Sequence, residues 1–161
     1  MKKKSALEIA AVFALGMVFG MTVTNELKKK RLEEQRKAAD KFSDFYQLLS
    51  HWLEVKNLGG STAAYFEEMG YRKIAIYGMG ELANRLSEDL GKSGIVIAYG
   101  VDRNVCSTPA RMEEVYTLED ELPEVDAMIV TPFYAMGDIQ NVLKTKIDCP
   151  IISLEEVVWS V

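Results

Sequence analysis

The stretch KIAIYGMGELANRL, Lys73 to Leu86, limits the folds open to this chain more than any other part of it. Lys73 to Tyr77 ends in β-formers and reads as a short buried strand. Gly78, Gly80 and Ala83 follow at G-x-G-x-x-A spacing, and Leu82, Leu86 and Leu90 then recur on one face of a helix that stops at Gly91. Each small residue has a physical use in a strand, turn and helix unit. Gly78 permits the tight turn, Gly80 removes a side chain where a pyrophosphate approaches the backbone, and Ala83 lets the helix lie close to the strand. With Met79 and Glu81 they make a turn whose helix N-terminus offers unpaired N–H groups and partial positive charge to an anion.

The chain beyond continues to alternate. A second strand, Ile95 to Val101, ends in Asp102, where an acid can accept hydrogen bonds from ribose hydroxyls; a plain strand-end turn fits Asp102 equally, with Arg103 and Asn104 beside it. Arg103 either neutralises Asp102 or receives a phosphate, so the pair leaves adenosine specificity open. A loop with Pro109 leads to a short strand, Glu114 to Tyr116, and a short acidic helix, Leu118 to Leu122. Asp126 to Thr131 is a third apolar strand, Met136 to Lys146 a helix, and Pro150 to Ser153 a last strand before a terminal LEEVV turn. Strands alternating with helices pair in parallel through right-handed crossovers, with helices on both faces. The expected fold is therefore α/β, with a five-stranded parallel sheet in the order 3-2-1-4-5. Ligands of such sheets bind at the carboxyl ends of the strands, which puts Gly78 to Glu81, Asp102 to Asn104 and Thr131 to Phe133 on one rim.

The front of the chain is of a different kind. Residues 1–4 are basic, and Ser5 to Asn25 is apolar apart from Glu8 and a polar end, close to the ~17 residues that suffice to cross a bilayer as a helix. Lys2, Lys3 and Lys4 can snorkel beside an interfacial Glu8. We expect a retained single-pass anchor over 5–25; a cleaved signal peptide also fits a basic start followed by an apolar run, with no A-x-A site but with the small Gly20 after Val18 as a passable cleavage position. Lys28, Lys29, Lys30, Arg31, Arg36 and Lys37 outnumber the lysines before the segment, which favours a cytoplasmic C-terminal domain and an attraction to anionic lipid. Gly16 and Gly20 have the G-x-x-x-G spacing that lets two helices approach in lipid, and common membrane-helix glycine explains them as well.

Residues 26–58 hold no glycine or proline and read as a helical stalk. After Asp40 an apolar stripe of Phe42, Phe45, Tyr46, Leu49, Trp52 and Leu53 forms one face, to pack on the following domain or on the same helix of a second chain. Gly59 and Gly60 end the helix, Ser61 caps a short one running to Gly70, and residues 59–161 make the α/β domain. Basic residues gather in the front of the chain and acids behind it, which argues against nucleic acid as a partner of the domain. Cys106 and Cys149 fit a reducing compartment and also fit one disulfide. With His51 the only histidine and no C-x-x-C pair, no metal site is proposed.

Taken together, IAIYGMGELANRLSEDL, VIAYGVDRN and LEDELPEVDAMIVTPF resemble the Rossmann-like front domain of bacterial polysaccharide-biosynthesis epimerases and dehydratases. They are similar too to the front domain of envelope sugar acyltransferases and to CoA-binding-type domains, over roughly residues 71–158. The resemblance implies NAD(P), a nucleotide-sugar or CoA as ligand, held by Gly78, Met79, Gly80, Glu81, Ala83, Asp102, Arg103, Asn104 and Thr131, and a glycan-synthesis enzyme as partner. The machinery of those enzymes is missing: none of the seven tyrosines has a lysine four residues later, and no hexapeptide repeat occurs. A membrane-anchored binding module accessory to envelope polysaccharide synthesis is thus expected rather than a complete enzyme. The competing expectations are a non-catalytic interaction or oligomerisation scaffold and, behind it, an oxidoreductase subunit completed by another chain.

Overall fold

Ala127–Val130 (β4) and the last four residues of Lys73–Tyr77 (β1) are buried without interruption, so these strands need cover on both faces. In the computed structural model, which describes residues 2–103, 112 and 114–161 and side chains from residue 24 onward, they pair in parallel at the sheet centre. Val96–Val101 (β2), Val115–Tyr116 (β3) and Ile151–Ser153 (β5) complete five strands in the order β3-β2-β1-β4-β5, all parallel and in the order expected. The path runs from β1 outward to β2 and, on the other side, from β4 to β5. Right-handed crossovers therefore send Glu81–Leu90 and Met136–Leu143 to opposite faces.

One face aligns Ala75, Tyr77, Tyr99, Val101, Met128 and Val130 beneath Ile139 and Leu143 of the second of these helices. The β1–β2 register shifts between Ile74 and Ala75, so that Ala75 lies opposite Tyr99. That turns Tyr99 inward, where its hydroxyl donates to the Pro123 carbonyl at 2.7 Å and burial pushes its pKa up to about 12. Asp126 fastens β1 to β4 at their start, its carboxylate accepting from the Arg72 and Lys73 amides, each at 2.7 Å. The Lys73 amide foremost holds that carboxyl below its usual range.

The chain forms two compact units, Met1–Phe45 and Tyr46–Val161. One helix, Lys2–Asn57 (α1), supplies the first and enters the second, and ends before Gly59, whose φ is +82°. Up to residue 23 the expected membrane span, with Glu8, Gly16 and Gly20, lies outside the described side chains. Among the described residues no helix is long and apolar enough to cross a membrane. After α1 come Ala63–Met69 (α2), then Glu81–Leu90 (α3) and Met136–Leu143 (α4), and Leu154–Trp159 (α5) closes the fold. Ser61 Oγ accepts from the Ala63 amide at 3.2 Å, so the expected cap is there although α2 begins two residues later.

The apolar stripe of α1 needs correction. The buried line is Leu48, Trp52 and Val55, whereas Phe42, Tyr46 and Leu53 are 72, 64 and 61 % exposed. The physical reason is Asp89 of α3, whose side chain is only 3 % exposed. Its carboxylate accepts from Trp52 Nε1 at 3.1 Å, from the Thr62 amide at 2.9 Å, from Thr62 Oγ1 at 2.7 Å and from Ser61 Oγ at 3.3 Å, and it pairs with Lys56. Trp52 thus belongs to the domain's own interior. His51, on the same side, stacks on Trp159 of α5 at 4.1 Å between ring centres, and Tyr65 of α2 donates to Glu156 of α5 at 3.1 Å.

Three further expectations differ from the structure. Leu118 to Leu122 forms no helix, because Asp120 Oδ2 accepts from the amide and hydroxyl of Thr117, at 2.7 and 2.8 Å, and closes a tight turn ahead of Pro123. The helix expected to reach Lys146 stops at Leu143, where Thr145 Oγ1 donates back to the Val142 carbonyl at 2.7 Å. The terminal LEEVV stretch is a full helix, capped by Ser153 Oγ and burying Leu154, Val157 and Val158.

Candidate functional site

The glycine turn is held by the protein itself. Gly78 has φ of +89°, and a Cβ there would lie 2.6 Å from Pro132 Cδ and 2.9 Å from Thr131 Oγ1. Both the backbone and the loop after β4 thus demand glycine. Thr131, 4 % exposed, donates to the Gly78 carbonyl at 2.6 Å, so its hydroxyl braces the turn. Asp102, at the end of β2, accepts from the Met79 amide at 2.8 Å; the acid expected to meet ribose hydroxyls also fixes the turn.

The remaining expected residues divide. Met79 is fully buried, its sulfur lying over Gly100, so only its backbone belongs to the rim. Ala83 is fully buried and keeps α3 close to the sheet. Glu81 is exposed on the first turn of α3 and binds Arg85 four residues on, whose hydrogen bond lowers the Glu81 pKa. A carboxylate there opposes an anion, although its pairing with Arg85 draws it along the helix. Arg103 is exposed at the rim, and Asn104 lies outside the described residues, as does Cys106.

Gly80 stands apart from all of these. Its φ and ψ of −92° and −162° are open to any residue, and a Cβ built on it meets nothing within 4 Å. It is the N-cap of α3, a ten-residue helix, and as glycine it brings no capping side chain of its own. Neither backbone geometry nor packing among the described residues calls for glycine at this position.

Next to the turn a crevice of about 360 Å³ opens over the carboxyl ends of β1, β2 and β4, where the strand order reverses. One wall is Tyr77, Gly78, Asp102 and Arg103; the other comes from the chain after β4, with Pro132, Tyr134 and Asp138. Tyr134 and Asp138 were not legible as site residues. The strand before them pointed to the rim, but Phe133, where that reading ended, is buried, and the 3₁₀ turn Phe133–Ala135 carries Tyr134 round to the crevice. A larger hollow of about 440 Å³ near Pro123, Lys146 and Cys149 lies away from these strand ends. No cluster of metal-ligating side chains occurs among the described residues.

Comparison of the chain with protein-family models, with curated proteins and with solved structures gave no match. The class is therefore set by the fold alone: a parallel α/β domain with a Rossmann-like sheet and a crevice at its switch point.

Proposed function

We propose that this chain is a binding module for a nucleotide or nucleotide-sugar, held at a membrane by residues 5–25, and that it serves envelope polysaccharide synthesis without completing a reaction itself. The observation that carries the binding reading is Gly80, a glycine at the N-terminus of α3 that nothing among the described residues requires. Space kept open beside a helix N-terminus suits a phosphate. Asp102, Arg103 and the walls of the crevice then receive the sugar or base side of the ligand, and the internally braced turn needs no reorganisation to accept it. The membrane and polysaccharide parts rest on the apolar front segment and on the family resemblance of the strand and turn motifs.

The experiment is a melting series of the full chain against NAD, NADP, UDP-sugars and CoA. One of them should stabilise the fold by about 2.7 kcal/mol at 100 times its dissociation constant. No shift with any of the four would remove the reading. The second reading, an interaction scaffold, is favoured by the exposed Phe42, Tyr46 and Leu53 on α1 and expects no shift.

A further inference from the structure

α1 has two apolar faces, and the domain uses one of them. Leu48, Trp52 and Val55 are buried, while Phe42, Tyr46 and Leu53 stay outside. With Ala39 and the half-buried Leu49, the outer residues recur at intervals of three and four along a single helix. We infer that this seam pairs with the same seam of a second copy of the chain, the two α1 helices running in parallel. The pairing stands apart from the binding reading above and needs no ligand.

The period says what kind of surface covers this face. A strict seven-residue repeat of apolar positions drifts around a straight helix and stays in register with another helix that winds about it. This chain carries such a helix itself, so the match is self-complementary, as a two-fold interface requires. Charge points the same way. Between the seam and α3 lies a groove of about 270 Å³ edged by Leu49, Leu53, Lys56, Arg85 and Glu88. Lys56 is paired with Asp89, and Arg85 with Glu81 and Glu88, so both cations of the groove are already committed and offer little to an acidic peptide or an anionic headgroup. The positions flanking the seam, Ala38, Ser43, Phe45 and Ser50, are uncharged, and two copies meet there without opposing like charges. The ends set the direction. An antiparallel pair centred on Tyr46 would bring Lys56 beside the other copy's Arg36, whereas in a parallel pair Asp89 draws Lys56 off the seam. Extending the parallel pair to Leu32 would set Arg31 beside the other copy's Arg36, so the seam runs from Ala39 to Leu53.

The test is sedimentation of the full chain in a mild detergent. The wild type should show twice the mass of one chain. Tyr46→Glu combined with Leu53→Glu should return it to the mass of one chain and still melt cooperatively, since both side chains are more than half exposed. A wild type of single-chain mass overturns the inference, and so does a double variant that remains dimeric. Direction is read by oxidation of single-cysteine chains that carry Cys106→Ser and Cys149→Ser. Leu53→Cys should link to its own counterpart, and Glu54→Cys, one residue off the seam, should not. No link through Leu53→Cys, or an equal link through Glu54→Cys, overturns the pairing even where the double glutamate variant fails to fold. A ligand-induced melting shift in a monomeric chain would leave the binding reading standing without this one, and a dimer that no ligand stabilises would do the reverse.

Discussion

Asp89→Ala is expected to lower the stability of the domain by about 4 kcal/mol, the cost of leaving the partners of a buried charge unpaired. Five groups converge on this carboxylate: the Trp52 indole, the Thr62 amide and hydroxyl, the Ser61 hydroxyl and the Lys56 ammonium. They come from α1, from the loop after it and from the start of α2, so the loss loosens three segments at once. The expected reading is a urea midpoint far below the wild type's, or unfolding at ordinary temperature if the whole domain has only the usual ~5–15 kcal/mol. Asp89→Asn, which keeps an acceptor oxygen, should cost less. The pH dependence has a definite sign. Burial works to raise the Asp89 pKa, but the hydrogen bonds from Lys56, Thr62 and Trp52 outweigh it and hold the carboxyl below its ordinary range. Its stabilisation is therefore complete above the unfolded carboxylate's pKa of ~3.9 and is lost as pH falls through the lower folded value. Acid unfolding followed by circular dichroism should begin at higher pH in Asp89→Asn than in the wild type. A variant as stable as the parent at neutral pH would show that α1 is not fastened through this residue.

Gly78→Ala is expected to be nearly as damaging, by about 3 kcal/mol. Part of this is the ~1–2 kcal/mol that an L-residue loses in left-handed backbone, and the rest is overpacking, typically ~1–3 kcal/mol. The new Cβ would lie 2.6 and 2.7 Å from two carbons of the Pro132 ring and 2.9 Å from Thr131 Oγ1. None of these can simply swing aside, since Pro132 is a ring on the backbone and the Thr131 hydroxyl is committed to the Gly78 carbonyl. A melting temperature lower by roughly 10 °C is the expected measurement. An unchanged one would mean that the loop after β4 does not press on the turn.

The contrast between these two residues shows what the sequence made visible. Gly78 was legible because its role is local: a strand, a glycine and a helix within a few residues admit few geometries. The same is true of Leu82, Leu86 and Leu90 and of the strand order, which follows from alternation and the handedness of crossovers. Asp89 was not, although it sits seven residues after Leu82 on the buried stripe of α3, an odd place for an acid. What satisfies it comes from 27 to 37 residues earlier in the chain, and nothing local announces that partnership. The same non-local pull rotated α1, so that Leu48 and Val55 went inward and Phe42, Tyr46 and Leu53 stayed outside. At the site, the glycine spacing led to Gly78 and Gly80, while the bracing roles of Thr131 and Asp102 depended on contacts across the sheet. Tyr134 and Asp138 escaped notice because a 3₁₀ turn, which no periodic pattern marks, sets their direction.

The most direct measurement for the binding account is the melting of Gly80→Asp with and without the ligand found for the wild type. Gly80 has extended, N-cap backbone and, among the described residues, open space around it, where aspartate is a favoured residue. The unliganded variant should melt within about 1 kcal/mol of the wild type. Its added carboxylate would stand where the phosphate belongs, and the ligand-induced rise should disappear. A ligand shift as large in Gly80→Asp as in the wild type would contradict the account and move the binding site away from the turn at Lys73 to Leu86.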